Sequence, residues 1–318
     1  MSLQPTDHLS FFIRKARALG FIAVGFSRPG RPLFFDRFRE WIQEGKHGDM
    51  RWMERHMDLR ENPARLLDNC RTVISLAYPY SCLKPRTPEG FTIARYAEPG
   101  KTDYHRRLKI PARKLADSIM QLYPGTRTRV CIDSAPILER SFACASGIGF
   151  IGKNNALIIP GHGSFFFLLE ILTTARLPFP EPTPMETRCG DCTLCVDVCP
   201  TGALEAPFTL NASICLSYLT IEYRGDVPPS FSEKMNGCFL GCDACQDVCP
   251  YNRTEKAAGP VLPSIDEILK MKEAVFNERF GGTALNHAGL DKIQSNIRAM
   301  KSGIRGETPT DRGGSTIL

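Results

Sequence analysis

"RCGDCTLCVDVCPTGAL" (residues 188–204) sets four cysteines within eleven positions and follows the last with proline, and "CFLGCDACQDVCPYN" (residues 238–252) repeats much of that pattern about fifty residues on. Cys189, Cys192, Cys195 and Cys199 with Pro200 follow C-x2-C-x2-C-x3-C-P. That spacing lets three thiolates wrap three corners of one [4Fe-4S] cube, while the x3 step and the proline turn the fourth toward a second cluster. Structural zinc instead uses paired Cys-x-x-Cys knuckles without a three-plus-one run. The second run departs from the pattern, because Cys238 stands four residues before Cys242 where an ideal copy has three. One cluster then takes Cys189, Cys192, Cys195 and Cys249; the other takes Cys199, Cys242, Cys245 and either Cys238 or Cys215. Spacing alone leaves that last choice open. Cys70, Cys82, Cys131 and Cys144 lie in apolar stretches and read as small core residues.

A pair of such clusters is the wire of a bacterial ferredoxin, and a wire needs a terminus. The cysteine-rich part fills about a quarter of the 318 residues, so the rest is expected to hold the electron acceptor. An apolar content of 42% supports a real core. The formal charge of +6 falls close to neutral once two clusters of roughly −2 each are added, so net charge alone says little about nucleic acid. Local basic groups say more: Arg106, Arg107, Lys109, Arg113 and Lys114 in one segment, Lys292, Arg298, Lys301 and Arg305 in another. The opening "MSLQPTDHLSFFIRKARALG" has no export signal and no twin arginine, and "SFFFLLEILTT", broken by Glu170, is too short to span a bilayer. A cytoplasmic protein with no membrane association is expected.

Along the chain, Leu9, Phe12, Ile13, Ala16 and Leu19 recur at helical spacing up to Gly20, and "FIAVGFS" then has strand composition. "RTVISLAYPY" and "RTRVCIDS" predict further buried strands, with a helix over residues 103–122 between them. Residues 1–175 form one α+β domain in this reading, and the proline-rich "RLPFPEPTPMETRCG" connects it to a cysteine-rich domain at 176–260. A helical segment follows at 261–305, and "GETPTDRGGSTIL" (306–318) has the composition of a disordered tail. "GIGFIGKNN" lacks the Lys-Ser/Thr ending of a phosphate-binding loop.

The order of "LRENPARLL", "GKTDYHRRLK", "CIDSAPILERSFACASGIGFIGKN", "GSFFFLLEILT", the first cysteine run, "CLSYLTIEYRG" and "LGCDACQDVCPYN" resembles the epoxyqueuosine reductases, over about residues 10–300. The resemblance implies a cobalamin-binding α+β domain related to reductive dehalogenases, followed by a ferredoxin-like domain with two [4Fe-4S] clusters. It favours Cys215 as the fourth ligand of the second cluster, and places cobalamin contacts on Arg60, Asp133, Leu157, Leu168, Ile171 and Ser217. It also gives Asp133 the part of proton donor. Read without the resemblance, Asp133 is a strand-end cap, Ser217 a helix cap, and Tyr104 with His105 either a substrate contact or a buried aromatic pair.

The implied activity is reduction of epoxyqueuosine to queuosine at the tRNA wobble position, with electrons passing one at a time through the clusters to cobalamin. Asp133, buried beside an apolar corrin face, is expected to keep its proton near neutral pH. The expected partners are tRNA carrying epoxyqueuosine and a low-potential donor of flavodoxin or ferredoxin type, with the protein a monomer. The resemblance extends to members with a C-terminal helical-repeat domain that helps grip tRNA, and this protein is expected to be a short form without it. The rival readings are a corrinoid reductase of a small molecule, usually exported behind a twin-arginine signal, and a ferredoxin-type electron carrier.

Overall fold

The protein was analysed as a computed structural model that describes residues 5–252 and 259–305; the tail expected to be disordered lies outside them. The chain opens with α1 (Pro5–Ala18), β1 (Ala23–Ser27), α2 (Phe35–Gln43), α3 (Met57–Glu61), β2 (Thr72–Pro79) and the two-residue β3 (Thr92–Ile93). α4 (Tyr104–Arg107) and α5 (Lys109–Leu122) lead into β4 (Thr128–Cys131) and α6 (Glu139–Ala145). The hairpin β5 (Phe150–Ile151) and β6 (Leu157–Ile158) then precedes β7 (Phe166–Thr173). Beyond the proline-rich connector come α7 (Leu194–Asp197), β8 (Leu204–Ala206), β9 (Thr209–Leu210), α8 (Leu216–Ile221) and α9 (Pro229–Ser232). β10 (Cys238–Leu240), α10 (Ala244–Asp247), α11 (Ile265–Lys270), α12 (Glu273–Phe280), α13 (Leu285–Ala288) and α14 (Leu290–Arg305) complete the described chain.

One antiparallel sheet, ordered β1-β2-β7-β4, carries the first half. β7 is apolar nearly throughout because helices cover both of its faces. Phe167, Leu169 and Ile171 point to the side of α1 and α5, where they join Phe12, Ala16, Leu115 and Ile119. Leu168, Glu170 and Leu172 alternate to the other side, toward α6 and its Phe142, Ala143 and Cys144. Side chains buried this way contribute about 1.5–3 kcal/mol each, which sets the register firmly, since a one-residue slip would exchange the two faces. β1 meets α6 closely at Gly25: a Cβ there would stand 2.2 Å from Ser146 Oγ and 2.6 Å from Ile148 Cγ2.

A second core joins the two halves. Ile93 and Ala97 pack with Leu216, Leu219, Phe239, Ile265, Phe276, Ile297 and Met300. β3 lies parallel to β10, so the segment at 82–97 crosses over to sit on the cysteine-rich part. Buried charges hold it there. The Arg95 guanidinium pairs with Asp243 at 3.2 Å and with Asp247, its Nε donates to the Cys82 carbonyl at 2.7 Å, and Lys84 reaches Asp247 at 3.3 Å. Both aspartates stand between cysteines of the second run. Among the described residues no helix is long and apolar enough to cross a membrane.

Candidate functional site

Each cysteine run folds as a tight turn followed by one helical turn. The Cys192 N–H donates to the Cys189 carbonyl at 3.0 Å, α7 then carries Cys195, and α10 carries Cys245 in the matching place. The runs cross, so thiols from one face thiols from the other. Burial raises the Cys249 thiol, with Cys189 and Cys192 adding to it; burial also raises Cys195, beside the same two. The other set gathers around Cys245, which is raised by burial and then by Cys242, Cys215, Cys195 and Cys199. Burial pushes Cys242 up to about 12, with Cys238 and Cys215 as its thiol neighbours. Thiols that raise one another in this way repel as thiolates, and cysteines at this spacing suit polynuclear iron centres able to balance the charge.

Cys215 caps the N-terminus of α8 beside the Ser217 and Tyr218 N–H groups and faces Cys199. Cys238 lies in β10, its thiol directed at the Gly241 and Leu240 carbonyls at 3.4 and 3.6 Å, with Lys84 and Asp243 close by. Ser217 is not the cap of α8; it sits half-buried in the first turn, two residues from Cys215.

Asp133 ends β4 in a left-handed conformation, φ 54°, which lifts its carboxylate out of the sheet. Its backbone N–H donates to Glu139 Oε1 at 2.9 Å. Its Oδ2 accepts from the Tyr104 hydroxyl and from His105 Nε2, the latter at 3.1 Å. His105 Nδ1 meets Asp103 at 2.9 Å, so both ring nitrogens face carboxylates and its pKa is raised, chiefly by the Asp133 bond. Burial alone would raise the Asp133 carboxyl, but the bonds from His105 and Tyr104 prevail and hold it below the usual carboxylate range. The expectation that burial raises Asp133 is therefore corrected: the carboxylate is 55% exposed and its pKa is lowered.

Tyr104 is fixed by stacking. It lies 4.2 Å from Phe167, nearly parallel at 8°, and 4.1 Å from the His105 ring, while Tyr80 continues the aromatic column on Phe167 at 4.9 Å. Tyr104 also lines a crevice too tight to admit water, together with Tyr96, Glu98, Lys101, Thr102, Asp103, Arg107 and Ala284. Arg107 pairs there with buried Glu98 at 2.7 Å and is not a free surface cation, whereas Arg106 and Arg224 are exposed. Lys292 is likewise withdrawn: burial pulls its pKa down to about 8, and its ammonium donates to the Gly225 carbonyl at 2.6 Å.

The other expected contacts divide. Arg60, on α3, is 8% exposed, with its guanidinium over Phe38 at 5.6 Å, its Nε without a partner among the described residues, and the opposite charge of Glu139 acting on it. Leu168, half-buried, and Leu157 lie on the α6 side of the sheet. Ile171 does not join them. It has no exposed surface and points the opposite way, into the α1/α5 layer.

Two carboxyls escaped the sequence reading. Burial pushes Glu139 up to about 8, with Asp133 adding to the shift, and burial raises fully enclosed Glu170 well above the usual range, with Glu139 adding to it. The signal available for Glu170 was a lone charge inside the apolar run "FFFLLEIL". Nothing local announced Glu139.

A family profile described as epoxyqueuosine reductase QueG, DUF1730 matches residues 60–134, and one described as a 4Fe-4S double cluster binding domain matches residues 188–252. The epoxyqueuosine reductase of Cellulophaga algicola is 32% identical over 307 residues, covering 92% of this chain and 98% of that protein. That of Xanthomonas campestris pv. campestris is 36% identical over 312 residues, with 92% and 86% covered. Among solved structures, an epoxyqueuosine reductase with an epoxyqueuosine-modified tRNA-Tyr stem loop matches with a TM-score of 0.83 at 28% identity, over 95% of this chain and 83% of that one. A Bacillus subtilis epoxyqueuosine reductase, with a catalytic aspartate loop swung out of the active site, matches equally well.

Proposed function

The chain belongs to the epoxyqueuosine reductase family, and we propose that its residues divide the reduction of epoxyqueuosine to queuosine in tRNA among two cluster nests, a cobalamin seat and a proton donor, Asp133. The reaction takes the epoxide oxygen off as water and leaves an alkene. Two [4Fe-4S] clusters supply the electrons. The first nest is Cys189, Cys192, Cys195 and Cys249; the second is Cys199, Cys215, Cys242 and Cys245. Cys215 is the choice over Cys238 because it faces Cys199 and also neighbours Cys245 and Cys242, whereas Cys238, although beside Cys242, directs its thiol at the Leu240 and Gly241 carbonyls of its own strand end.

The residues present fit a cobalamin on the α6 side of the sheet. The buried Arg60 Nε lacks an acceptor that a corrin amide or phosphate would provide, and Leu157 and Leu168 lie on the same side of the sheet, with exposed Asp133 beyond the end of β4. Bound there, cobalamin supplies a metal centre that accepts electrons singly and delivers them to the epoxide. Ser217, two residues from Cys215, keeps that seat next to the second cluster. In this division residues 1–175 hold the cofactor, 176–260 the clusters and 261–305 pack against both. A low-potential protein feeds the first cluster, and a cytoplasmic monomer meets its tRNA at the crevice face.

Asp133, once protonated, gives that proton to the departing oxygen, because an alkoxide is a poor leaving group unless protonated as its bond breaks. The single observation that carries this role is the exposed carboxylate gripped by Tyr104 and His105. Nucleoside mass analysis of tRNA carrying the epoxide, before and after incubation with reduced, cofactor-loaded protein, should show loss of one oxygen. An unchanged nucleoside would overturn the assignment.

A further inference from the structure

Reducing an epoxide to an alkene and water consumes two electrons and two protons, and the established reaction supplies only the electrons. Asp133 holds at most one proton, and its carboxylate accepts hydrogen bonds from Tyr104 and His105. Two further carboxyls lie behind it. Glu139, in the first turn of α6, accepts the Asp133 N–H. Glu170, in register between Ser75 of β2 and Cys131 of β4, has no exposed surface, and neither of its oxygens has a partner among the described residues. β7 directs it toward α6, within electrostatic reach of Glu139.

We propose that Glu139 and Glu170 are the proton store of this enzyme, positioning residues that recharge Asp133 twice per turnover. The inference rests on Asp133 as donor. Glu139 passes its proton to the Asp133 carboxylate, which yields it to the epoxide oxygen; Glu170 then reprotonates Glu139, and the second proton follows the same path to complete water. Two protons leave and two are restored from solvent through exposed Asp133, so the store matches the reaction.

The surroundings favour neutral carboxyls. Burying an unpaired carboxylate costs far more than keeping its proton. Among the described residues neither Glu139 nor Glu170 forms an ion pair: Arg60 from α3 and Arg140 from α6 lie near Glu139 without bonding it, and His105 from α4 is spent on Asp103 and Asp133. From β4, Arg129 donates to the Leu66 carbonyl at 2.7 Å, and burial with Glu170 beside it pushes the Cys131 thiol up to about 12. Glu139 itself rises to about 8, above the pH at which the reaction runs in a neutral cytoplasm.

Infrared spectroscopy of the iron-loaded protein, labelled at glutamate and free of cobalamin, should show protonated-carboxyl bands at neutral pH that shift in heavy water. One band should vanish in Glu170→Gln and another in Glu139→Gln. With cobalamin and saturating reductant, turnover of the unaltered enzyme should fall as pH rises through about 8. Each variant should be slower by at least about tenfold at neutral pH, its descending limb moved to lower pH, with iron content and tRNA affinity intact. Absence of the bands from the unaltered protein, a measurement that needs no variant, would overturn the store. So would Gln variants with the unaltered rate and pH profile while Asp133→Asn is slow. Normal turnover in Asp133→Asn, with both Gln variants slow, would instead remove Asp133 as the recipient.

Discussion

Asp133 owes its place to one left-handed residue at a strand end, and its charge to partners about thirty positions earlier in the chain, Tyr104 and His105. Asp133→Asn keeps the shape and loses the transferable proton. It should retain both clusters and bind tRNA, yet turn over at least about a hundredfold more slowly, measured under saturating reductant. The cysteines offer a second test at this scale. Cys215→Ser should bring the iron content from about eight per chain toward about four, whereas Cys238→Ser, whose thiol faces carbonyls, should leave it unchanged. The reverse result would assign the ligand to β10. The cluster cysteines were legible because their spacing is local and the chemistry repeats. The protonation of Asp133 was not, because it depends on hydrogen bonds that only the folded chain assembles.

At the scale of elements, β7 shows what a pattern can and cannot disclose. Its apolar run marked a buried segment, and alternation along the strand then separates Leu168 from Ile171, a division that the sequence resemblance had merged. The helix at the chain start, the strands at "RTVISLAYPY" and "RTRVCIDS", and the helix before "PG" appear as α1, β2, β4 and α4–α5, since each has a plain period and a glycine or proline stop. The pairing order of the sheet has no such local mark. Gly25 tests it: Gly25→Ala forces a methyl into Ser146 and Ile148 and should destabilise by about 1–3 kcal/mol in anaerobic chemical denaturation, loosening α6 from β1. α6 also carries a pH effect. The unfolded chain releases the Glu139 and Glu170 protons in the ordinary carboxylate range, but the folded chain keeps that of Glu139 until about 8. Folding stability should therefore fall as pH rises across that window, most clearly in melting temperature, and either Gln variant should flatten the slope.

For the whole molecule, the cationic surface is smaller than the sequence suggests. Arg107 and Lys292 are committed inside, to Glu98 and the Gly225 carbonyl, while Arg106 and Arg224 remain exposed near the crevice. Binding to tRNA should weaken with salt, and reversing Arg106 and Arg224 together should lower the affinity and shrink the salt slope by about one per lost phosphate contact. Reversing Arg107 should instead lower the melting temperature, because buried Glu98 loses its partner. Binding indifferent to salt would point to recognition without phosphate contacts.

The clasp formed by Arg95 and Lys84 on Asp243 and Asp247 ties the anchoring of residues 82–97 to the fold of the second cysteine run. Those aspartates are spaced between cysteines, so a cluster destroyed by air frees the turn that holds them and strands two cations in the interior. The 82–97 segment then loses its anchor and becomes the natural entry point for a protease. Limited digestion should leave this segment whole in anaerobic protein and cut it first after exposure to air.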